Sequence, residues 1–121
     1  DLARVGKKYP DSWHWLHFRD PRSIEARSNM PSFAFLESTE LDLSLTRKKL
    51  ETLRRLGTPY SDAEIAGAEA DARAQLETVA ASLRQQGMEL AEVEAKSEAL
   101  ALIAYLQSLG HAVRAAEGEL R

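Results

Sequence analysis

Residues 61–86 constrain this chain more than any other stretch. Ser61-Asp62-Ala63-Glu64 is a capping box, in which a serine hydroxyl and a glutamate carboxylate satisfy free N–H groups at a helix start. The spacing predicts one helix from Ser61 to Gln86, stopped by Gly87. Ile65, Ala72 and Val79 recur every seven residues, and Leu76 and Leu83 recur at an offset of four. That seam mixes small and large side chains and needs a neighbouring helix to cover it.

The candidate neighbour lies upstream. A helix is predicted from Thr39 to Leu56, with Thr39 and Asp42 as a capping-type pair and Leu43, Leu50 and Leu53 on one stripe. Gly57 supplies a left-handed stop, and Thr58-Pro59 keeps the helix from resuming. Joined by Gly57–Tyr60, the two helices form an antiparallel hairpin that buries both stripes. A further helix is predicted over Ala91–Leu109, with Leu102, Leu106 and Leu109 on one side and Gly110 as its end. Residues 111–121 read as a frayed tail. The fold class is all-α.

The first third differs in chemistry. Residues 1–35 hold six of the eight aromatics and three of the four prolines, with a charge of +2. Residues 36–121 carry −5. A short helix is predicted from Asp11 to Arg19, capped by Asp11 or Ser12 and stopped by Asp20-Pro21. Residues 20–37 have no steady period and read as a loop with buried anchors at Ile24, Met30, Phe33, Phe35 and Leu36.

Composition removes several function classes. The net charge of −3 argues against nucleic acid as a partner. The longest apolar run, Ala99–Leu106, is too short to cross a bilayer. Cysteine is absent, which excludes disulfides, thiolate ligands and a CxxCH haem attachment within these residues. The serines sit in caps and turns without a nucleophile elbow, and the glycines form no phosphate loop. Carboxylates face solvent and pair along helices, as Glu51 with Arg55.

Three features carry other chemistry. His14 and His17 share a helix face, but the spacing nominates no further zinc ligand; the plainer reading packs one beside Trp13 or Trp15 and leaves the other in water. Arg19, Arg22 and Arg27 flank the aromatic loop, either to meet propionates, phosphates or an acidic surface, or simply to be solvated. Met30 sits in Asn29-Met30-Pro31 among Phe33, Phe35 and Leu36. Its thioether is either a packing group or a soft axial ligand for haem iron, with Pro31 stiffening the loop.

Several motifs together suggest a family. Asp1-Leu2-Ala3-Arg4-Val5-Gly6-Lys7-Lys8-Tyr9, Trp13-His14, Asp20-Pro21-Arg22-Ser23 and Ser28-Asn29-Met30-Pro31 resemble the mono-haem cytochrome c subunit of cbb3-type cytochrome c oxidases. So do Leu53–Asp62 and Ala101–Gly110, the latter similar to the last helix of class I c-type cytochromes. The resemblance implies a haem domain facing the periplasm at the bacterial inner membrane, behind an N-terminal membrane helix. Its haem c is attached through CxxCH and passes electrons toward the catalytic haem–copper subunit, alongside other cytochrome c subunits. It makes Met30 the distal iron ligand and Pro31 its loop partner, with Trp13, Tyr105 and Leu106 packing the haem.

On this reading residues 1–121 are a partial cytochrome c-like domain, divided into 1–37, 38–110 and 111–121, and a fragment whose anchor and CxxCH lie upstream. These residues alone are expected to hold no haem. Residues 67–98 extend the family's shorter helical pattern. Trp13, Trp15, Phe33 and Phe35 would then be uncovered, so self-association is expected. The alternative is a haem-less helical module for interaction or assembly with an oxidase.

Overall fold

The computed structural model describes residues 2–110; the expected tail at 111–121 lies outside them. The described residues form five α-helices and three short 3₁₀ turns. The helices are α1 (Asp11–Arg19), α2 (Thr46–Arg55), α3 (Asp62–Ala66), α4 (Ala68–Gln85) and α5 (Glu98–Ser108). The 3₁₀ turns are Pro21–Ser23, Ala34–Glu37 and Glu94–Lys96. The all-α expectation holds: among the described residues the only β pairing is an isolated bridge between Glu40 and Ser97. No helix among them is long and apolar enough to cross a membrane.

α4 and α5 form the centre. Leu76, Val79, Ala80 and Leu83 of α4 are buried against Ala99, Leu100, Ile103 and Leu106 of α5. Leu76, Val79 and Leu83 of the predicted seam are thus buried with α5 as their cover, whereas Ala72 is half-buried and Ile65 is buried on α3, outside this cluster. Val5, Trp15 and Phe18 close the same core from the N-terminal third.

The predicted hairpin needs correction. α2 lies against α3 and α4, yet none of its residues is buried; Leu43 and Leu50 are half-buried and Leu53 is exposed. Its start is also later than Thr39. The Thr39 carbonyl accepts from Glu98 N at 2.9 Å, and Leu41 N donates to the Lys96 carbonyl at 2.9 Å, so this backbone is committed to the segment before α5. Asp42 makes a local turn instead of a cap, accepting from Ser44 N at 2.9 Å. The α2 end is as expected: Gly57, at φ 107°, lets Thr58 N reach the Leu53 carbonyl at 3.0 Å.

The long helix expected over Ser61–Gln86 is divided. Its capping box forms, with Ser61 N donating to Glu64 Oε1 at 3.0 Å and Glu64 N to Ser61 Oγ at 3.1 Å. At Gly67 the backbone leaves helical geometry (φ −90°, ψ 0°), because a glycine inside a helix is poorly held. The last helix begins at Glu98 rather than Ala91. Ala91 N is taken by the Glu94 carboxylate at 2.9 Å in a local turn, and Ser97 stands extended before α5.

α1 spans the predicted residues, but its start is capped from a distance. Pro10 occupies the N-cap position and no side chain of its own turn caps it. Ser12 N donates to Gln86 Oε1 at 2.8 Å, and Asp11 accepts from Gln107 Nε2 at 2.8 Å. Those two glutamines tie α1 to α4 and α5.

Candidate functional site

The Met30 loop is held at its base by α1. Asp20 is extended before Pro21 and takes Arg22 N on its carboxylate at 3.2 Å. Phe33 N donates to the Phe18 carbonyl at 2.7 Å, and Ser32 Oγ donates to the Arg19 carbonyl at 2.6 Å. Arg19 forks onto Glu37 with contacts of 2.8 and 3.1 Å. Arg22 Nε reaches the Ser28 carbonyl at 3.3 Å. Two of the three arginines flanking the loop therefore act as its internal ties.

Within that frame Met30 is fixed at both main chain and side chain. Its N–H donates to Ser28 Oγ at 3.2 Å. Its side chain is half-buried and packs on the core that contains Leu106. The sequence-predicted residues thus separate into groups. Met30 and Leu106 border one core, whereas Pro31 is exposed and Tyr105 is 61% exposed on α5. Trp13 belongs to a column of rings on α1. It stacks on Tyr9 at 4.1 Å and on His17 at 4.6 Å, with His14 edge-on at 5.1 Å.

The expected aromatic patch is largely absent. Trp15 is buried, Trp13 and Phe33 are half-buried, and Phe35 is the member that remains mostly exposed. The apolar helix face takes Trp15 inward beside Phe18, which the loop-centred reading of the sequence missed. His14 is buried as well, so it fits the packing role; His17 is only half-buried because Trp13 covers one face. Among the described residues no cluster of three or more His, Cys, Asp or Glu side chains is arranged to hold a metal.

Among the described residues, two buried side-chain nitrogens lack hydrogen-bond partners, His14 Nε2 and Trp15 Nε1. Burial pushes the His14 pKa below its ordinary value; Asp11 opposes this and His17 adds to it. An indole N–H can only donate, so Trp15 calls for an acceptor. The Met30 thioether is the one soft donor of the loop, the kind of ligand that a haem iron can take.

An open groove lies elsewhere. About 1030 Å³ in volume, it runs between residues 7–11, α4 and α5 and is lined by Tyr9, Asp11, Thr78, Ser82 and Gln107 among others. Met30, Pro31, Trp13, Tyr105 and Leu106 do not line it. It is wide and open to solvent, without the soft donor that the Met30 loop offers.

A family model described as cytochrome c oxidase, mono-haem subunit/FixO matches residues 1–113. A comparison with curated proteins gave no match. Because the family match spans the Met30 loop, the central helices and α5 together, the chain belongs to the FixO family of mono-haem cytochrome c oxidase subunits.

Proposed function

We propose that this oxidase subunit carries electrons in a cbb3-type respiratory oxidase at the periplasmic face of the bacterial inner membrane, with Met30 as the methionine ligand of a haem c. As an oxidase subunit it associates with other oxidase subunits; the catalytic haem–copper subunit and further cytochrome c subunits are the proposed ones. The observation that carries the reading is the Met30 loop itself. Its sulfur-bearing residue is half-buried on the apolar core, and its amide is pinned to Ser28.

Bound haem supplies a one-electron iron couple. The chain's residues do the rest. Met30 offers a soft axial donor, and Pro31 narrows the conformations open to the loop. Leu106 and the surrounding core keep water from that side, and an apolar wall with a thioether raises a haem potential. Trp13 and Tyr105 are proposed haem-packing groups with less support, since one is engaged in the α1 ring column and the other is exposed. Self-association through the aromatic residues would draw on Phe35, since Trp15 is buried.

The test is spectroscopic, in the haem-loaded subunit. Met30→Ala should remove the weak far-red band of the oxidised methionine–iron bond and lower the potential. Met30→Leu should do the same while keeping the fold, because the swap conserves volume. An unchanged spectrum removes Met30 from the ligand role. A subunit purified without red pigment supports the haem-less interaction module instead.

A further inference from the structure

α2 turns an amphipathic pattern toward solvent. Its ten residues carry Arg47, Lys48, Lys49, Arg54 and Arg55 against one carboxylate, Glu51, in a chain of net charge −3. Arg47 meets Glu51 at 3.3 Å and Arg54 meets Asp62 at 2.5 Å, while Asp42 is held in its charged form chiefly by its hydrogen bonds to Ser44 and to a lesser degree by Lys49. Even with Asp42 and Asp62 included, five cations face three carboxylates. Leu45, Leu53 and Leu56, at and between the helix ends, are 51%, 41% and 78% exposed.

The apolar and basic groups share one side. At about 100° per residue, Leu45, Lys49, Leu53 and Leu56 fall within an arc of roughly 80°, with Lys48, Thr52 and Arg55 beside it. A helix with leucines and cations on a common exposed face is the pattern of interfacial binding.

We propose that α2 is a docking ridge for a bilayer surface bearing anionic headgroups. Leu45, Leu53 and Leu56 enter the headgroup boundary, and Lys48, Lys49 and Arg55 reach the phosphates with their alkyl stems along the leucines. An acidic protein would complement the cations, but it would need a preformed hollow for three projecting leucines. A fluid lipid boundary accepts leucines and cations together. The positive surplus is small, so attachment is reversible and weakens with salt. The ridge shares no residue with the Met30 loop, and its test needs no haem.

The experiment is co-sedimentation of the protein with vesicles of phosphatidylcholine alone or with added phosphatidylglycerol. Binding is expected to the anionic vesicles, against the chain's net negative charge, and to fall as salt rises. The pair Lys48→Gln/Arg55→Gln should reduce partitioning about tenfold. The pair Leu45→Ser/Leu56→Ser should reduce it by a similar factor, with the helical circular dichroism unchanged because both leucines are exposed. Equal sedimentation with both vesicle types, or with neither, overturns the proposal. So does full binding by the charge variant. Capture by soluble polyglutamate that is indifferent to the leucine changes assigns the ridge to an acidic protein and overturns it too.

Discussion

Gly6 lies directly on the carbonyl of Leu109: its N–H donates to that oxygen at 3.1 Å, and a Cβ built on Gly6 would stand 2.4 Å from it. The Gln107 carbonyl is equally close, so the first turn of the chain is pressed against the end of α5 with no room for a side chain.

Gly6→Ala is therefore expected to destabilise the fold by about 3 kcal/mol, the upper end for overpacking, since backbone carbonyls cannot swing aside. Urea denaturation should show a lower midpoint with an unchanged slope. A midpoint equal to that of the parent would mean that the N-terminal segment does not dock on α5.

Gln107 is the second tie at this end. Its side-chain oxygen accepts from Lys7 N at 2.5 Å, and its amide donates to the Tyr9 carbonyl at 2.9 Å and to Asp11. Gln107→Ala should cost about 1–3 kcal/mol in denaturant unfolding. Gln107→Glu should also destabilise at neutral pH, because a carboxylate replaces the donor facing Asp11. That loss should shrink as the pH falls and the new carboxyl becomes protonated.

His14 makes stability depend on pH. Its folded pKa lies below the ordinary 6.5, chiefly through burial. As the pH falls through that ordinary value, the unfolded chain takes up the proton and the folded one does not. Stability is then lost with falling pH until the folded pKa is passed, at no more than about 1.4 kcal/mol per pH unit. Chemical denaturation at pH 7.5 and 5.5 should show the drop. His14→Phe should flatten that part of the curve whatever its effect on absolute stability; an unchanged slope would assign it to other groups.

Two leucines of the helical pattern should behave oppositely. Leu83→Ala removes a fully buried side chain between α4 and α5 and should cost about 2–5 kcal/mol. Leu56→Ala, at an exposed position beyond α2, should stay within about 0.5 kcal/mol. Thermal melts of the two variants check both.

Local signals in the sequence carried far. The Ser61–Glu64 box, the Gly57 stop and the bounds of α1 each depend on neighbours a few residues away, and each is found. Some errors arise from local turns, at Asp42–Ser44, Gly67 and Ala91–Glu94, and the rest from partners distant in sequence. Thr39 looks like a cap until Glu98 takes its carbonyl, and α1 looks self-capped until Gln86 reaches Ser12. The α4 seam was visible, but α5 covers it where α2 was expected, because apolar spacing says that a face is buried and not by what. At the site, Met30 stood out by its loop and its soft sulfur. The inward turn of Trp15 and His14 was hidden, since a run of alternating aromatics and histidines in one short helix does not reveal which ring faces the core.

The clasp between residues 6–11 and 107–109 also has a temporal side. Residues 6–9 find their seat only on the end of α5, about a hundred residues further along. Until the ribosome has released α5, the N–H groups of Gly6 and Lys7 and the carbonyl of Tyr9 lack these partners. Closure of this core thus waits for α5, and a nascent protein stalled before residue 107 would present its Trp15 and Phe18 to chaperones rather than to a finished interior.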